Sequence, residues 1–168
     1  MTAFPILTLG PLVTPTDLRK LSSQRVEVLL NVSAIDIVEI YEAELLHCFE
    51  LHSFRFRDIF SQTSARQEDW EEFKEQSLPL VDEAVRTLAN VLQSGRRVHC
   101  FCSEGRSRSA LTAAGALVLA FDLEPDVAME MISLKNHRAE FSARSRWYLD
   151  RLAFGSSAEA GERDRMTA

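Results

Sequence analysis

From Arg108 to Phe121 the chain reads RSALTAAGALVLAF, apolar on nearly every side. A helix of this kind is buried, so other layers must wrap it. The rest of the chain offers strands and helices in alternation. Residues 6–10 (ILTLG), 26–32 (VEVLLNV) and 98–101 (VHCF) are short apolar runs suited to strands. Residues 51–56 (LHSFRF) alternate as a half-buried strand does. A helix is expected over 14–24, capped by Thr14 or Thr16 with Pro15 near its first turn. Another spans 69–76. A third starts at Ser77-Leu78-Pro79, repeats Leu80, Ala84, Val85, Leu88 and Leu92 at helical spacing, and ends at Gly95. Two more cover 125–135 and 142–152, while 61–68 reads as a loop. The order implies the α/β class, a central and mostly parallel sheet flanked by helices.

With 168 residues, 46% hydrophobic and 26% charged, the chain is the size of one domain. Such a chain buries roughly 70% of its unfolded surface and needs neither disulfide nor metal to fold. The domain is assigned to residues 1–154. Residues 155–168 are small, polar and charged without periodicity, and read as a disordered tail. No apolar run approaches the ~18–20 residues of a membrane span, and MTAFPILTLG lacks the basic start and long apolar core of a secretory signal. Acidic residues outnumber basic ones 25 to 19, a net charge of −6. Broad binding to nucleic acid or an anionic membrane wants the opposite sign. The expectation is therefore no nucleic-acid partner, no stable membrane anchor, and any anion met at one concentrated site. Oligomeric state is not legible.

Three cysteines, Cys48, Cys100 and Cys102, form no scaffold pattern. With no export signal they suggest free thiols in a reducing, cytoplasmic compartment, so their reactivity becomes the question. The informative run is Val98-His99-Cys100-Phe101-Cys102-Ser103-Glu104-Gly105-Arg106-Ser107-Arg108-Ser109. It reads as a strand, a short polar loop and the start of the buried helix. Unpaired N–H groups and the positive dipole end at that helix N-terminus make an anion site. A thiol at the head of such a loop has its anionic form favoured by the same field. A thiolate among phosphate-binding groups is equipped to attack phosphorus.

The run Cys102-Ser-Glu-Gly-Arg-Ser-Arg108-Ser109 resembles the C-x5-R-S/T signature loop of the cysteine-dependent protein tyrosine phosphatases, specifically their dual-specificity branch. The resemblance implies a parallel sheet surrounded by helices. It also implies Cys102 as nucleophile, Arg108 as bidentate clamp on the phosphoryl oxygens, and Ser109 as the hydroxyl that helps the thiolate leave. Ser103, Glu104, Gly105, Arg106 and Ser107 would line the phosphate, with Gly105 permitting close backbone approach. Neither a cofactor nor a metal is implied.

Cys100 also satisfies the pattern, with Arg106-Ser107 as its partner and His99 before it. Opening the loop there would shrink the strand to about 97–99. Cys102 leaves the strand at 98–101, starts the apolar helix directly after Arg108 and puts a glycine three residues past the cysteine, so Cys102 is preferred. In that register Phe101 stands where the family has a loop-supporting histidine. His99 and Cys100 then read as packed strand residues rather than zinc ligands.

The family supplies a general acid from a loop after an upstream strand. Asp58, closing Phe54-Arg55-Phe56-Arg57-Asp58, fits that placement 44 residues before Cys102. Asp69, at 33 residues, is the alternative, with a helix N-terminal role as its plainer use. The segments Pro125–Ile132, Lys135–Arg138 and Trp147–Leu152 resemble the family's closing helices. The expected substrate is a phosphorylated protein (phosphotyrosine or phosphoserine/threonine), with a phospholipid, phosphatidylglycerophosphate or a phosphoinositide, as the alternative suggested by Arg106. Arg106 could equally pair with Glu104 or a surface acid. Cys48 reads as a packed cysteine, or as a partner for a protective disulfide with Cys102. A rhodanese-like sulfurtransferase and a phosphate-binding module without turnover are the competing functions.

Overall fold

Two strands carry no exposed face: β2 (Val28–Asn31) and β4 (Val98–Phe101) are buried along their whole length. Strands of this kind belong inside a parallel sheet covered on both sides. The computed structural model describes residues 6–61 and 66–166, with side chains as far as 155. In it β1 (Leu7–Gly10), β2, β3 (Glu50–Ser53) and β4 form one parallel sheet in the order β1-β4-β2-β3. The α/β expectation holds. All four strands end at the same edge, where open parallel sheets place their ligands.

The helices cover both faces. α6 (Arg108–Phe121) is the buried helix foreseen above, and every residue from Arg108 to Val118 is out of solvent. It packs against α5 (Leu78–Gln93), α7 (Pro125–Lys135) and α8 (Ala143–Met166). Leu111 and Leu117 are fully buried there, each contributing about 2 kcal/mol by leaving water. Gly115 allows the close approach: a Cβ at that position would lie 3.1 Å from side-chain atoms of both Val85 and Leu152. On the opposite face α1 (Pro15–Ser23) covers a smaller core of Val13, Leu18, Leu21, Leu29, Phe49 and Phe101. Thr14 caps α1 through a reciprocal bond with Asp17, and Pro15 sits in its first turn.

Several boundaries differ from expectation. β3 stops at Ser53, because Phe54 and Phe56 turn into the main core instead of continuing the ladder. α4 (Gln67–Gln76) begins two residues early. Two four-residue helices, α2 (Ile37–Ile40) and α3 (Ala43–Leu46), were not foreseen, being too short to show a period. α8 runs on to Met166, past Leu152. Of the expected loop 61–68, residues 62–65 lie outside the described residues, as do 167–168 of the expected tail.

An aromatic cluster holds the chain after β3. The ring of Phe60 meets Trp70, Phe73 and Tyr148 edge-on at centroid distances of 5.7, 5.4 and 6.0 Å. It thereby fixes Asp58, two residues earlier, beside the carboxyl edge of the sheet.

Candidate active site

The register of β4 separates its two cysteines. Cys100 pairs with Leu9 on one side and Leu30 on the other, in the middle of the sheet. Burial pushes its thiol well above the usual range. Cys102 is the first residue past the strand, at the head of the loop that leads into α6.

The loop wraps Cys102 in donors. Gly105 N–H donates to Sγ at 3.2 Å, and Ser109 Oγ lies 3.3 Å from Sγ. A thiolate accepts both more strongly than a thiol does. Gly105 has φ +68°, and a Cβ on it would stand 2.5 Å from Pro11 N, so only glycine fits the loop at this point. Three other segments hold the loop in shape. Gly10 O accepts Cys102 N–H at 3.4 Å, and Leu12 N–H donates to Ser103 O at 3.3 Å. Asn136 Nδ2 donates to Gly105 O at 2.7 Å, and Glu140 N–H donates to Arg106 O at 2.9 Å.

Arg108, the first residue of α6, is buried. Its Nη1 donates to Phe56 O and its Nη2 to Ser103 Oγ, both at 3.0 Å. Its Nε is buried with no partner among the described residues. A buried N–H left unmet costs about 1–3 kcal/mol unless an acceptor arrives, which marks this guanidinium as half of an anion site.

Asp58 is at the loop. Its Oδ1 accepts from Ser107 Oγ at 2.8 Å and from Ser61 N–H at 3.1 Å. Asp69 instead occupies the first turn of α4 and faces Arg57 at 4.0 Å. Arg106 pairs with Glu140, its Nε donating at 3.0 Å, and with Glu104 at 3.6 Å. The loop's second cation is thus met by two carboxylates.

The remaining sequence candidates fall elsewhere. Phe101 faces the α1 core, stacked on His99 with 20° between the rings, so loop support comes from Gly10, Leu12, Asn136 and Glu140. Burial lowers His99 to about 4, leaving it neutral. Cys48 is exposed, which corrects the expectation of a packed residue. It precedes β3, at the end of the sheet away from Cys102, so the two thiols do not meet within one molecule. Among the described residues no group of three or more His, Cys, Asp or Glu side chains could hold a metal ion.

Sequence reasoning missed two participants and one acceptor. Asn136 and Glu140 lie 31 and 34 residues from the loop atoms they hold, and the Phe56 carbonyl that steers Arg108 is 52 residues away. Contacts at such separations leave no local pattern. The only signal was indirect, the resemblance of Lys135–Arg138 to the family's closing segment.

This architecture, a parallel sheet ending in a Cys-headed loop that caps a buried helix, is the fold of the cysteine-dependent protein tyrosine and dual-specificity phosphatases. Solved structures place it more closely. Human DUSP28 superposes with a TM-score of 0.68 at 18% identity, covering 94% of this chain and 97% of that one. PTPMT1 gives 0.69 at 19% identity, over 93% and 94%, and Tk-PTP in its active form gives 0.61 at 13%, over 90% and 97%. No family model and no curated protein matches the sequence.

Proposed function

We propose that the chain is a cytoplasmic phosphatase whose catalytic domain, residues 1–154, hydrolyses phosphate monoesters through a cysteinyl-phosphate intermediate on Cys102. The observation that carries this reading is the single pocket of donors around Sγ. Gly105 N–H and Ser109 Oγ meet the sulfur, and the orphaned Nε of Arg108 stands at the N-terminus of the same helix.

In the first step Sγ attacks phosphorus and the ester P–O bond breaks. Arg108 and the loop N–H groups, those of Ser103, Glu104, Gly105, Arg106 and Ser107 among them, hold the phosphoryl oxygens as charge develops on them. Asp58, poised by Ser107 and Ser61, gives its proton to the leaving oxygen. In the second step water attacks phosphorus, Asp58 takes its proton and the S–P bond breaks. Ser109 then hydrogen-bonds the departing thiolate.

Phosphorylated protein side chains, phosphotyrosine or phosphoserine/threonine, are the favoured substrates. Phospholipids are the second reading, supported by a structure of PTPMT1 in complex with PI(5)P. The loop cation that would favour a polyanionic headgroup is, however, paired with Glu140 and Glu104 here.

The test is a rapid-quench reaction with p-nitrophenyl phosphate followed by peptide mapping. Phosphate bound to the peptide containing Cys102 is expected. Sulfur transfer from thiosulfate without phosphate release would establish the rhodanese-like function instead. Phosphopeptide binding without release would establish a binding module.

A further inference from the structure

Behind the loop, on the α1 side of the sheet, lies a cavity of about 390 Å³, within the range that small-molecule sites occupy. It is bordered by β1, the Gly10-Pro11 turn, one side of α1 and the ring of His99. That ring is only 8% exposed. Its Nδ1 is 2.8 Å from Thr8 Oγ1. Its Nε2 has no hydrogen-bond partner among the described residues and borders the cavity: a Cβ on Gly10 would come 3.3 Å from it. The Thr8 hydroxyl can donate to Nδ1 or to Val98 O, so Nε2 donates in one arrangement and accepts in the other. Nε2 therefore opens onto the cavity with no protein partner among the described residues, and a polar group entering that space can meet it.

The rim is charged and the walls are apolar. Lys20 and Gln24 border the opening, and a second groove of about 290 Å³ continues past Thr8 and Gln24 to Arg97. Asp17 borders the same space, but its Oδ2 is already held by Thr14 N–H at 2.8 Å and Thr14 Oγ1 at 2.7 Å. Val13 and Leu21, from the α1-side core, supply the apolar wall. No function described above uses any of these groups.

We propose that this cavity binds a small hydroxylated aromatic carboxylate and that its occupancy regulates the loop in front of it. The ring lies against Val13 and Leu21, and the carboxylate meets Lys20 at the rim. The hydroxyl reaches His99 Nε2; it both donates and accepts, so it suits either arrangement of Thr8. The route to the loop is short. Gly10 and Pro11 form a wall of the cavity, Gly10 O holds Cys102 N–H, and Gly105 packs directly on the Gly10-Pro11 backbone. The binding half of the proposal stands alone; the regulatory half rests on the phosphatase reading.

The test titrates 4-hydroxybenzoate into the isotope-labelled full chain and follows the His99 ring and Leu21 amide signals. Saturable shifts with Kd about millimolar or tighter are expected for a ligand of this size. Lys20→Ala should weaken binding about tenfold, the loss of one charged contact, and benzoate should bind less well than the hydroxylated probe. Turnover of p-nitrophenyl phosphate should change at least about twofold with the probe, as a modest coupling between sites does. Lys20→Ala should abolish that response while leaving the basal rate unchanged.

Shifts confined to residues 102–108 would place the probe in the catalytic loop and overturn the proposal. Equal binding of 4-hydroxybenzyl alcohol would overturn it too, as would shifts that appear only after residues 1–5 are removed, which would make the chain's own first segment the occupant. Binding at His99 with unaltered turnover would overturn the regulatory half. Binding at His99 in a protein that releases no phosphate would defeat the phosphatase reading and leave the cavity assignment intact.

Discussion

Cys100 and Cys102 sit two residues apart on the same side of one chain segment, and the structure treats them in opposite ways. Cys100 is locked between two neighbouring strands in the main core, where burial pushes its thiol up. Cys102 stands one residue beyond the ladder, where Gly105 N–H and Ser109 Oγ turn toward its sulfur. The sulfur chemistry is the same; what differs is whether the backbone around it is spent on a sheet or freed by a loop at a helix N-terminus. On the proposed function, reactivity is a property of where β4 ends.

The sharpest way to break this comparison is to exchange the thiols one at a time. Cys102→Ser should lower phosphate release by on the order of 10³-fold or more, the usual consequence of losing a nucleophile. Binding of a phosphate analogue should persist. Cys100→Ser should retain activity within about threefold and cost about 1–2 kcal/mol of stability, for burying a hydroxyl in an apolar site. Steady-state kinetics and urea unfolding of both variants decide the matter. An inactive Cys100→Ser protein that is still folded would reverse the assignment.

Next in size is the proposed proton donor. Asp58→Ala should slow hydrolysis of an alkyl phosphate about 10²-fold or more, the range of general acid catalysis, and p-nitrophenyl phosphate far less, because its leaving group needs no proton. Equal losses on both substrates would move the role to Asp69. The structure keeps these two carboxylates apart, one bonded to loop residue Ser107 and one facing Arg57.

These two predictions also mark what was readable beforehand. The boundaries of β4 and α6 were legible because a strand of four apolar residues and a helix with no polar side are strong local signals. The start of α1, with Thr14 or Thr16 as its cap, and the turn at Gly95 were legible for the same reason, and the structure selects Thr14. Asp58 was legible as a candidate but not as a neighbour of Ser107, 49 residues away. Arg106 was the hardest. Its position inside the loop left two uses open, a charge offered to substrate or a pair with Glu104 or a surface acid, and only the fold brings Glu140 to it from beyond α7.

That long-range bracing sets the next prediction. Asn136→Ala removes the donor from Gly105 O, a bond of 2.7 Å that contributes about 1 kcal/mol. Its loss loosens the residue whose N–H meets Cys102. Turnover should fall about 5–10-fold, the rate equivalent of that energy, with little effect on KM for p-nitrophenyl phosphate. A raised KM with unchanged kcat would mean that Asn136 binds substrate rather than shaping the loop.

The other side of β4 offers the mildest test at neutral pH. His99 is held to about 4 by burial, below the 6.5 of a free imidazole. Between these values the unfolded chain binds a proton that the folded chain refuses, so stability is complete above about pH 6.5 and falls as the pH drops toward about 4. A difference of this size corresponds to about 3 kcal/mol, opposed in part by Asp17, whose charge favours the protonated ring. Asp17 itself stays ionised to lower pH because Thr14 donates to it. His99→Leu should therefore flatten the loss between pH 6.5 and 4.5, measured as the urea midpoint at each pH, while changing activity at pH 7 little. An unaltered slope would mean that the imidazole is protonated inside the fold. The α1 side of β4 would then hold a charge, and the contrast between a chemically silent strand and a reactive loop would no longer stand.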